Sequence, residues 1–331
     1  MEGKTRVIMY GLGPIGSSVA RLVLERSNLE LVGGVDIDPA KVGKDIGQVV
    51  GADRTIGLTV KDKLSGVLEK MKADVVLHTT NSYFDLFMPQ ILGILEAGLD
   101  IVSTSEELSF PWLTHPKEAA EIDATAKKAG KSVLATGVNP GFLMDSLPLY
   151  LTSICRRIDH IEVRRIQNAS KRRGPFQAKI GSGMTVEEFR KKMDSGRMGH
   201  VGLVESTGML FNTLGKKLAR FETQVEPIVA EKLISTPYFN VPPGRVIGLK
   251  QVAHGYTDRE EFLTLVFIAA LESPEDQDTI SITGEPNLTV TLQGTNGDIA
   301  TSAIAVNAIQ RVRVSAPGLL TMRDLPIVVL S

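Results

Sequence analysis

The sequence predicts an α/β protein: a doubly wound parallel sheet in the N-terminal half, then an α+β half with a mostly antiparallel sheet. Short apolar runs alternate with helix-period segments from Thr5 to Thr136. A glycine-rich turn, GLGPIG, joins the first run to the first helix. Beyond Asn139-Pro140-Gly141 the strand-like runs follow one another with no long helix between them. Alternation calls for parallel strands with crossover helices, and consecutive strands call for antiparallel pairing.

In order along the chain, Thr5–Tyr10 (TRVIMY) is apolar and short, as a buried strand is. Ser17 to Arg26 then has helical spacing, with Val19, Leu22 and Val23 on one face. Residues 29–36, 74–78, 99–103 and 132–136 read as further strands, the last of them closing the series. A helical pattern from Phe84 to Ala97 stops at Gly98, and Pro116 opens an Ala- and Lys-rich helix that stops at Gly130. In the second half residues 158–168 read as a strand, and Thr185 to Glu188 has capping-box spacing for a short helix. His200 opens a helical stretch that Gly215 ends. Residues 245–254 and 262–270 are strand-like around a turn-rich stretch, and 281–292 adds another. Residues 300–311 form an apolar helix expected to pack back on the first half. The expected domains are 1–140 and 141–298, with a returning helix and tail over 299–331.

Composition narrows the class. The chain has 331 residues, 43% hydrophobic and 23% charged, with a net charge of −1. Such a chain buries a sizeable core without help, and it has no field that draws nucleic acid or an anionic membrane. Its longest apolar stretch, Leu263 to Leu271, is too short to span a bilayer. The one cysteine, Cys155, cannot form an intrachain disulfide, and Met1 to Met9 lack the apolar core of a secretory signal. The expected location is the cytoplasm. No metal-ligand spacing appears, so no metal is expected.

The glycine turn carries the first chemistry. Gly11-Leu12-Gly13-Pro14-Ile15-Gly16 matches the GxGxxG fingerprint of a Rossmann dinucleotide-binding domain, after a strand and opening a helix. Gly11 permits the tight turn, Gly13 lets backbone N–H groups approach a pyrophosphate, and Gly16 lets helix and sheet pack closely. The helix N-terminus adds unpaired donors and a partial positive charge. Asp36 ends the second strand about 20 residues later, where a carboxylate takes ribose hydroxyls. That carboxylate repels a 2′-phosphate and favours NAD, while Lys41 and Lys44 stand close enough to pair with one, so NADP is expected to be tolerated. FAD shares the fingerprint, but nothing later looks like a flavin-binding segment.

Five strings carry a wider likeness: VDIDPAKVGKDIG (Val35 to Gly47), HTTNS (His78 to Ser82), STSEELSFPW (Ser103 to Trp112), TGVNPGF (Thr136 to Phe142) and GHVGLVES (Gly199 to Ser206). Together they resemble the dihydrodipicolinate-reductase-like superfamily, in the branch of 2,4-diaminopentanoate dehydrogenases and native amine dehydrogenases, over nearly the whole chain. The reductases proper have a paired-His segment followed by a Lys and a DAPSGT-like stretch. Neither occurs here, and His78, His115, His160, His200 and His254 stand apart in sequence. The resemblance implies NAD(P)-dependent oxidative deamination of an amine or diamino acid, or reductive amination of a ketone. It also implies a homodimer, and a glutamate just after the fifth Rossmann strand that serves the reacting amine.

Ligands of open α/β sheets sit at the carboxyl ends of the strands. Thr79, Thr80, Asn81 and Ser103 are therefore expected near the cofactor, as are Asn139 and Gly141. Glu106 and Glu107 place two carboxylates at that edge. A buried carboxylate stabilises a cationic iminium and accepts a proton as general base. Glu106 is the first choice and Glu107 the reserve, unless the pair merely caps the next helix. Asn139 is expected to hydrogen-bond the nicotinamide amide or the substrate, and Phe142 and Trp112 to form apolar wall or core. Arg165 and Gln167 share one strand face and suit a substrate carboxylate, with Arg164 and Asn168 on the other face. His200 and His254 are candidates to polarise a carbonyl or line the pocket. Two other readings compete: another hydride-transfer enzyme on this scaffold, dihydrodipicolinate-reductase-like or homoserine-dehydrogenase-like, which would often carry a Lys at position 106, and an NAD-binding sensor without turnover.

Overall fold

The computed structural model describes residues 3–194 and 198–330. The chain divides into two compact units, Met1–Phe142 with Asn296–Ser331, and Leu143–Thr295. In chain order the strands are β1 (Thr5–Tyr10), β2 (Leu29–Val35), β3 (Val75–His78), β4 (Asp100–Ser103), β5 (Ser132–Ala135), β6 (Arg157–Asn168) and β7 (Arg220–Val229). A short ribbon, β8 (Ile234–Ser235) with β9 (Asn240–Val241), follows. Then come β10 (Val246–Tyr256), β11 (Glu261–Ala270), β12 (Gln277–Glu285), β13 (Leu288–Gln293) and β14 (Gly318–Leu320).

In the first unit six parallel strands lie in the order β14-β5-β4-β3-β1-β2. Every residue of β3, β4 and β5 is buried, as strands covered on both faces must be, which is why they read as apolar runs without alternation. One face packs Phe87 and Ile91 of the helix Phe84–Glu96 with Ile122 and Ala126 of the helix Pro116–Ala129. The other packs Val19 and Val23 of the helix Pro14–Glu25 with Ala305 and Ile309 of the helix Gly297–Arg313. The series does not close at β5: β14, only three residues long, pairs with it as a sixth strand.

The second unit has the order β13-β12-β6-β11-β10-β7, antiparallel throughout except for β6 beside β11. Ile161, Val163, Leu249 and Phe267 line one face and form a core with Leu210 and Phe211 of the helix Leu203–Thr213. The capping box forms: Thr185 Oγ1 accepts the Glu188 N–H at 3.0 Å, and Glu188 accepts the Thr185 N–H at 2.7 Å.

Three expectations change. The helix expected from His200 starts at Leu203, because Gly202 at φ 112° ends the preceding turn. His200 lies just before that turn. The single strand expected over 281–292 is a hairpin of β12 and β13, turned at Pro286-Asn287, where Asn287 Oδ1 accepts the Gly284 N–H at 2.9 Å. Strand β7 was not expected: it is an edge strand, and Thr223 and Pro227 interrupt Phe221 and Val225 on its inner face. No helix among the described residues is long and apolar enough to cross a membrane.

Candidate functional site

The glycine turn is shaped by close approach. Gly11 has φ 94°, and a Cβ there would stand 2.7 Å from the Thr79 carbonyl oxygen. At Gly16 a Cβ would stand 2.1 Å from the Gly11 carbonyl oxygen. Gly13 differs: a Cβ would meet nothing within 4 Å. It caps the helix Pro14–Glu25, Pro14 stands in the first turn, and no side chain caps the helix. The open ground before the helix N-terminus fits a diphosphate approaching backbone donors. Leu12 is buried and Ile15 half-buried behind this turn.

Asp36 follows β2. Its carboxylate accepts N–H groups from Leu12 at 2.8 Å and Asp38 at 2.9 Å, and it pairs with Lys41 Nζ at 2.9 Å. Burial pushes this carboxyl up, but the Asp38 N–H, the Lys41 ammonium and the Leu12 N–H together hold it below the ordinary range. It is therefore an anion ready to accept hydroxyl hydrogens. Lys41 also lies 3.7 Å from Asp38, so its charge is already matched within the loop.

The ends of β3, β4 and β5 lie side by side. Thr79 follows β3, and its Oγ1 donates to the Gly11 carbonyl at 2.7 Å, tying that end to the glycine turn. Thr80 and Asn81 are exposed, and Asn81 Oδ1 accepts the Tyr83 N–H at 3.0 Å. Ser103 ends β4 fully buried. Its hydroxyl accepts the Ser105 N–H at 3.1 Å and meets His78 at 2.9 Å, so it works from beneath the loop. After β5, Gly141 has φ 121°, and a Cβ would stand 2.5 Å from the Gly137 nitrogen. Asn139 is buried in that turn and Phe142 is 36% exposed. Trp112 packs against Phe110 with ring centroids 5.1 Å apart.

The acidic pair separates into two environments. Both residues stand on the short turn Glu106–Leu108, after the fourth strand in chain order rather than the fifth. Glu107 accepts the Phe84 N–H at 2.5 Å, capping the helix Phe84–Glu96, and lies 3.7 Å from His115. Burial raises this carboxyl above the ordinary range, against the opposing pull of the Phe84 N–H and His115. Glu106 is half-buried, and its carboxylate makes no hydrogen bond or ion pair among the described residues.

In the second unit strand register sorts the remaining candidates. Arg165 pairs with Phe267, and Phe267 with Gln251, so all three point to one face. Gln167 shares that face by parity. The His200 ring stacks on Phe267 at 4.5 Å, and the His200 backbone N–H donates to Gln251 Oε1 at 2.6 Å. His254 pairs with Thr264, which pairs with Glu162. That is the opposite face, with Arg164 and Asn168, so His254 cannot share a site with Arg165. Its Nδ1 meets Glu261 at 2.7 Å instead, and Glu261 also takes the Thr264 hydroxyl.

Arg165 is 2% exposed. Its Nε stands 3.7 Å from Asp278 Oδ1, too far for a hydrogen bond. Nη1 and Nη2 of Arg165 and Oδ1 of Asp278 have no hydrogen-bond partner among the described residues. Burial pushes the guanidinium down and the carboxyl up, each against the attraction of the other. Nearby, Arg172 donates to Gln167 Oε1 at 3.3 Å.

One residue of this region was missed. His78, at the end of β3, stands apart from other histidines in sequence but not from partners in space. Its Nδ1 meets Ser103 Oγ at 2.9 Å, and its Nε2 meets Gln90 Oε1 at 2.8 Å and Thr80 Oγ1 at 2.9 Å. The only signal was a histidine ending an apolar strand run, where a bare imidazole has no reason to be buried.

Residues 142–330 match the family model of the 2,4-diaminopentanoate dehydrogenase C-terminal domain, and residues 5–104 that of the dihydrodipicolinate reductase N-terminus. The 2,4-diaminopentanoate dehydrogenase of Acetoanaerobium sticklandii is 34% identical over 98% of this chain and 94% of its own. An amine dehydrogenase of Streptomyces virginiae is 28% identical over 54% of this chain and 50% of its own. The solved structure of an amine dehydrogenase from Mycobacterium smegmatis, 26% identical, superposes with a TM-score of 0.90 over 100% of this chain and 98% of that one. The chain belongs to the 2,4-diaminopentanoate dehydrogenase family, NAD(P)-dependent oxidoreductases of CH–NH2 groups built on a dihydrodipicolinate-reductase-like Rossmann domain.

Proposed function

We propose that the chain oxidatively deaminates a diamino acid or amine with NAD, and aminates the corresponding ketone in reverse, with Glu106 as its acid–base group. The observation that carries this reading is the uncommitted Glu106 carboxylate beside the strand ends that adjoin the glycine turn. Bound nicotinamide supplies the hydride acceptor and donor. Gly11, Gly13 and Gly16 with the helix N-terminus hold the diphosphate, and Asp36 takes the adenosine ribose hydroxyls. Glu106 accepts a proton from the substrate ammonium, so that a neutral amine loses hydride. Glu106 passes that proton to solvent, and the carboxylate so regenerated steadies the iminium cation and deprotonates the water that attacks.

NAD is favoured over NADP because the Asp36 anion would face a 2′-phosphate while Lys41 is already matched by Asp36 and Asp38. Arg165 favours a substrate with a carboxylate: two buried guanidinium nitrogens without protein partners suit a bidentate anion. A diamino acid fits that requirement better than an alkylamine. The assembly in this reading is a cytoplasmic homodimer, with no nucleic-acid or membrane partner.

The test is NADH formation across a panel of diamino acids, amino acids and alkylamines, repeated with NADP, and with ketones plus ammonia in reverse. Turnover of a carboxylate-bearing diamine with a lower KM for NAD than for NADP is expected. Binding of NADH with no turnover of any amine would mark a sensor instead.

A further inference from the structure

We infer that His78 is a positioning residue, which holds the turn carrying Glu106 and the loop carrying Thr80 in one fixed arrangement through two opposed hydrogen bonds. The inference rests on the proposed role of Glu106.

The imidazole is fully buried at the end of β3. With the Gln90 carbonyl oxygen at 2.8 Å, Nε2 carries the proton and donates it, with Thr80 Oγ1 at 2.9 Å as its neighbour. Thr80 in turn donates to Gln90 Oε1 at 2.7 Å. Nδ1 is then the acceptor and takes the Ser103 hydroxyl hydrogen at 2.9 Å, with Ser105 Oγ at 3.4 Å. Ser103 Oγ accepts the Ser105 N–H at 3.1 Å. A continuous chain therefore runs from Gln90 through His78 and Ser103 to the Thr104–Ser105 peptide, at the foot of the turn that carries Glu106. The backbone reinforces it, since the Thr104 N–H donates to the His78 carbonyl at 2.9 Å.

This chain has a direction. A hydroxyl that donates to Nδ1 must point its lone pairs toward the Ser105 N–H, so the imidazole tautomer selects the orientation of Ser103. A protonated ring would offer a donor at both nitrogens and break that order. Burial, opposed by the Gln90 hydrogen bond, pushes His78 down to about 4, so the neutral ring persists across the working range. His78 carries no proton in the reaction. The rings of Tyr10, tilted at 5.7 Å, and Phe87, edge-on at 6.3 Å between centroids, pack against the imidazole.

His78→Phe keeps the volume and removes both hydrogen bonds, while His78→Asn keeps an acceptor near the Nδ1 position. Each is compared with wild type for kcat, amine KM, NADH affinity by fluorescence, and the acid limb of the kcat profile. Misaiming a catalytic group by about 1 Å costs on the order of 100-fold. His78→Phe should therefore lose about 10- to 100-fold in kcat, with NADH affinity within about threefold and a displaced acid limb. His78→Asn should recover most of the loss. If His78→Phe does not fold, His78→Asn and His78→Gln are compared, and the Asn variant should be the faster. Wild-type kcat in His78→Phe overturns the inference. So does equal loss in the Asn and Gln variants, or a lowered melting temperature with unchanged kcat per folded molecule. Glu106→Gln, assayed alongside, separates the two ideas: an active Glu106→Gln enzyme sinks the site, whereas an inactive one beside a fully active His78→Phe sinks only this inference.

Discussion

His78 in the first unit and Arg165 in the second are buried to nearly the same degree, 0% and 2% exposed, yet their surroundings are opposite. Both ring nitrogens of His78 are engaged, by Ser103 on one side and by Gln90 and Thr80 on the other. Arg165 has one distant carboxylate and two nitrogens with no protein partner. A satisfied buried network fixes geometry and asks for nothing further. An unsatisfied buried charge costs several kcal/mol unless something else completes it. The edge of the first sheet is thus a finished support with one acid, Glu106, left uncommitted on top of it. The second sheet holds a buried ion pair, Arg165 with Asp278, too wide to satisfy the guanidinium's hydrogen bonds.

The sharpest way to break this comparison is Glu106→Gln. The carboxamide keeps the size and removes both the proton acceptor and the charge. Loss of general-base function typically costs about 100- to 10,000-fold, and turnover should fall by that amount while NADH binding is retained. Turnover near that of wild type would mean that the uncommitted acid is idle and that the finished support holds something else.

Arg165→Lys tests the other side. Lysine keeps the charge but loses the planar pair of donors that suits a carboxylate. Hydrogen bonds to charged groups are worth about 1.5–3 kcal/mol, so KM for a carboxylate-bearing amine should rise about 10- to 100-fold. KM for an alkylamine of equal length should be unchanged. Equal effects on both substrates would show that Arg165 serves the fold through Asp278 rather than the substrate.

The contrast also explains what could be read from the chain beforehand. The glycine turn was legible because its requirements are local: positive φ at Gly11 and the missing Cβ at Gly16 act within a few residues of each other. The capping box at Thr185 and Glu188 was legible for the same reason. The role of His78 was not, since its partners lie 12 and 25 residues away and converge only when β3, β4 and the helix Phe84–Glu96 have packed. Arg165 and Gln167 could be given a common face from their spacing alone. Whether His254 joined them depends on the pairing of three strands, and register puts it on the far side. The strand β14 escaped because three residues have no period to detect.

The smallest expected effect concerns the neighbour of the uncommitted acid. Glu107→Gln retains an oxygen that can accept the Phe84 N–H, so the helix cap survives and only the charge is lost. Burial raises the Glu107 carboxyl above the ordinary glutamate value of 4.5, which means the folded state prefers its protonated form. Its contribution to stability is therefore complete below the unfolded value and lost as pH rises through the folded one. Over that window the melting temperature of wild type should decline relative to Glu107→Gln, and at neutral pH the variant should be at least as stable. Its side chain is 21% exposed, so solvent screening keeps the difference small. Activity should stay within about twofold, the range of a substitution that leaves packing and caps in place. If Glu107→Gln instead loses turnover while Glu106→Gln keeps it, the half-buried acid with the raised pKa is the base, and the cap at Phe84 is what aims it.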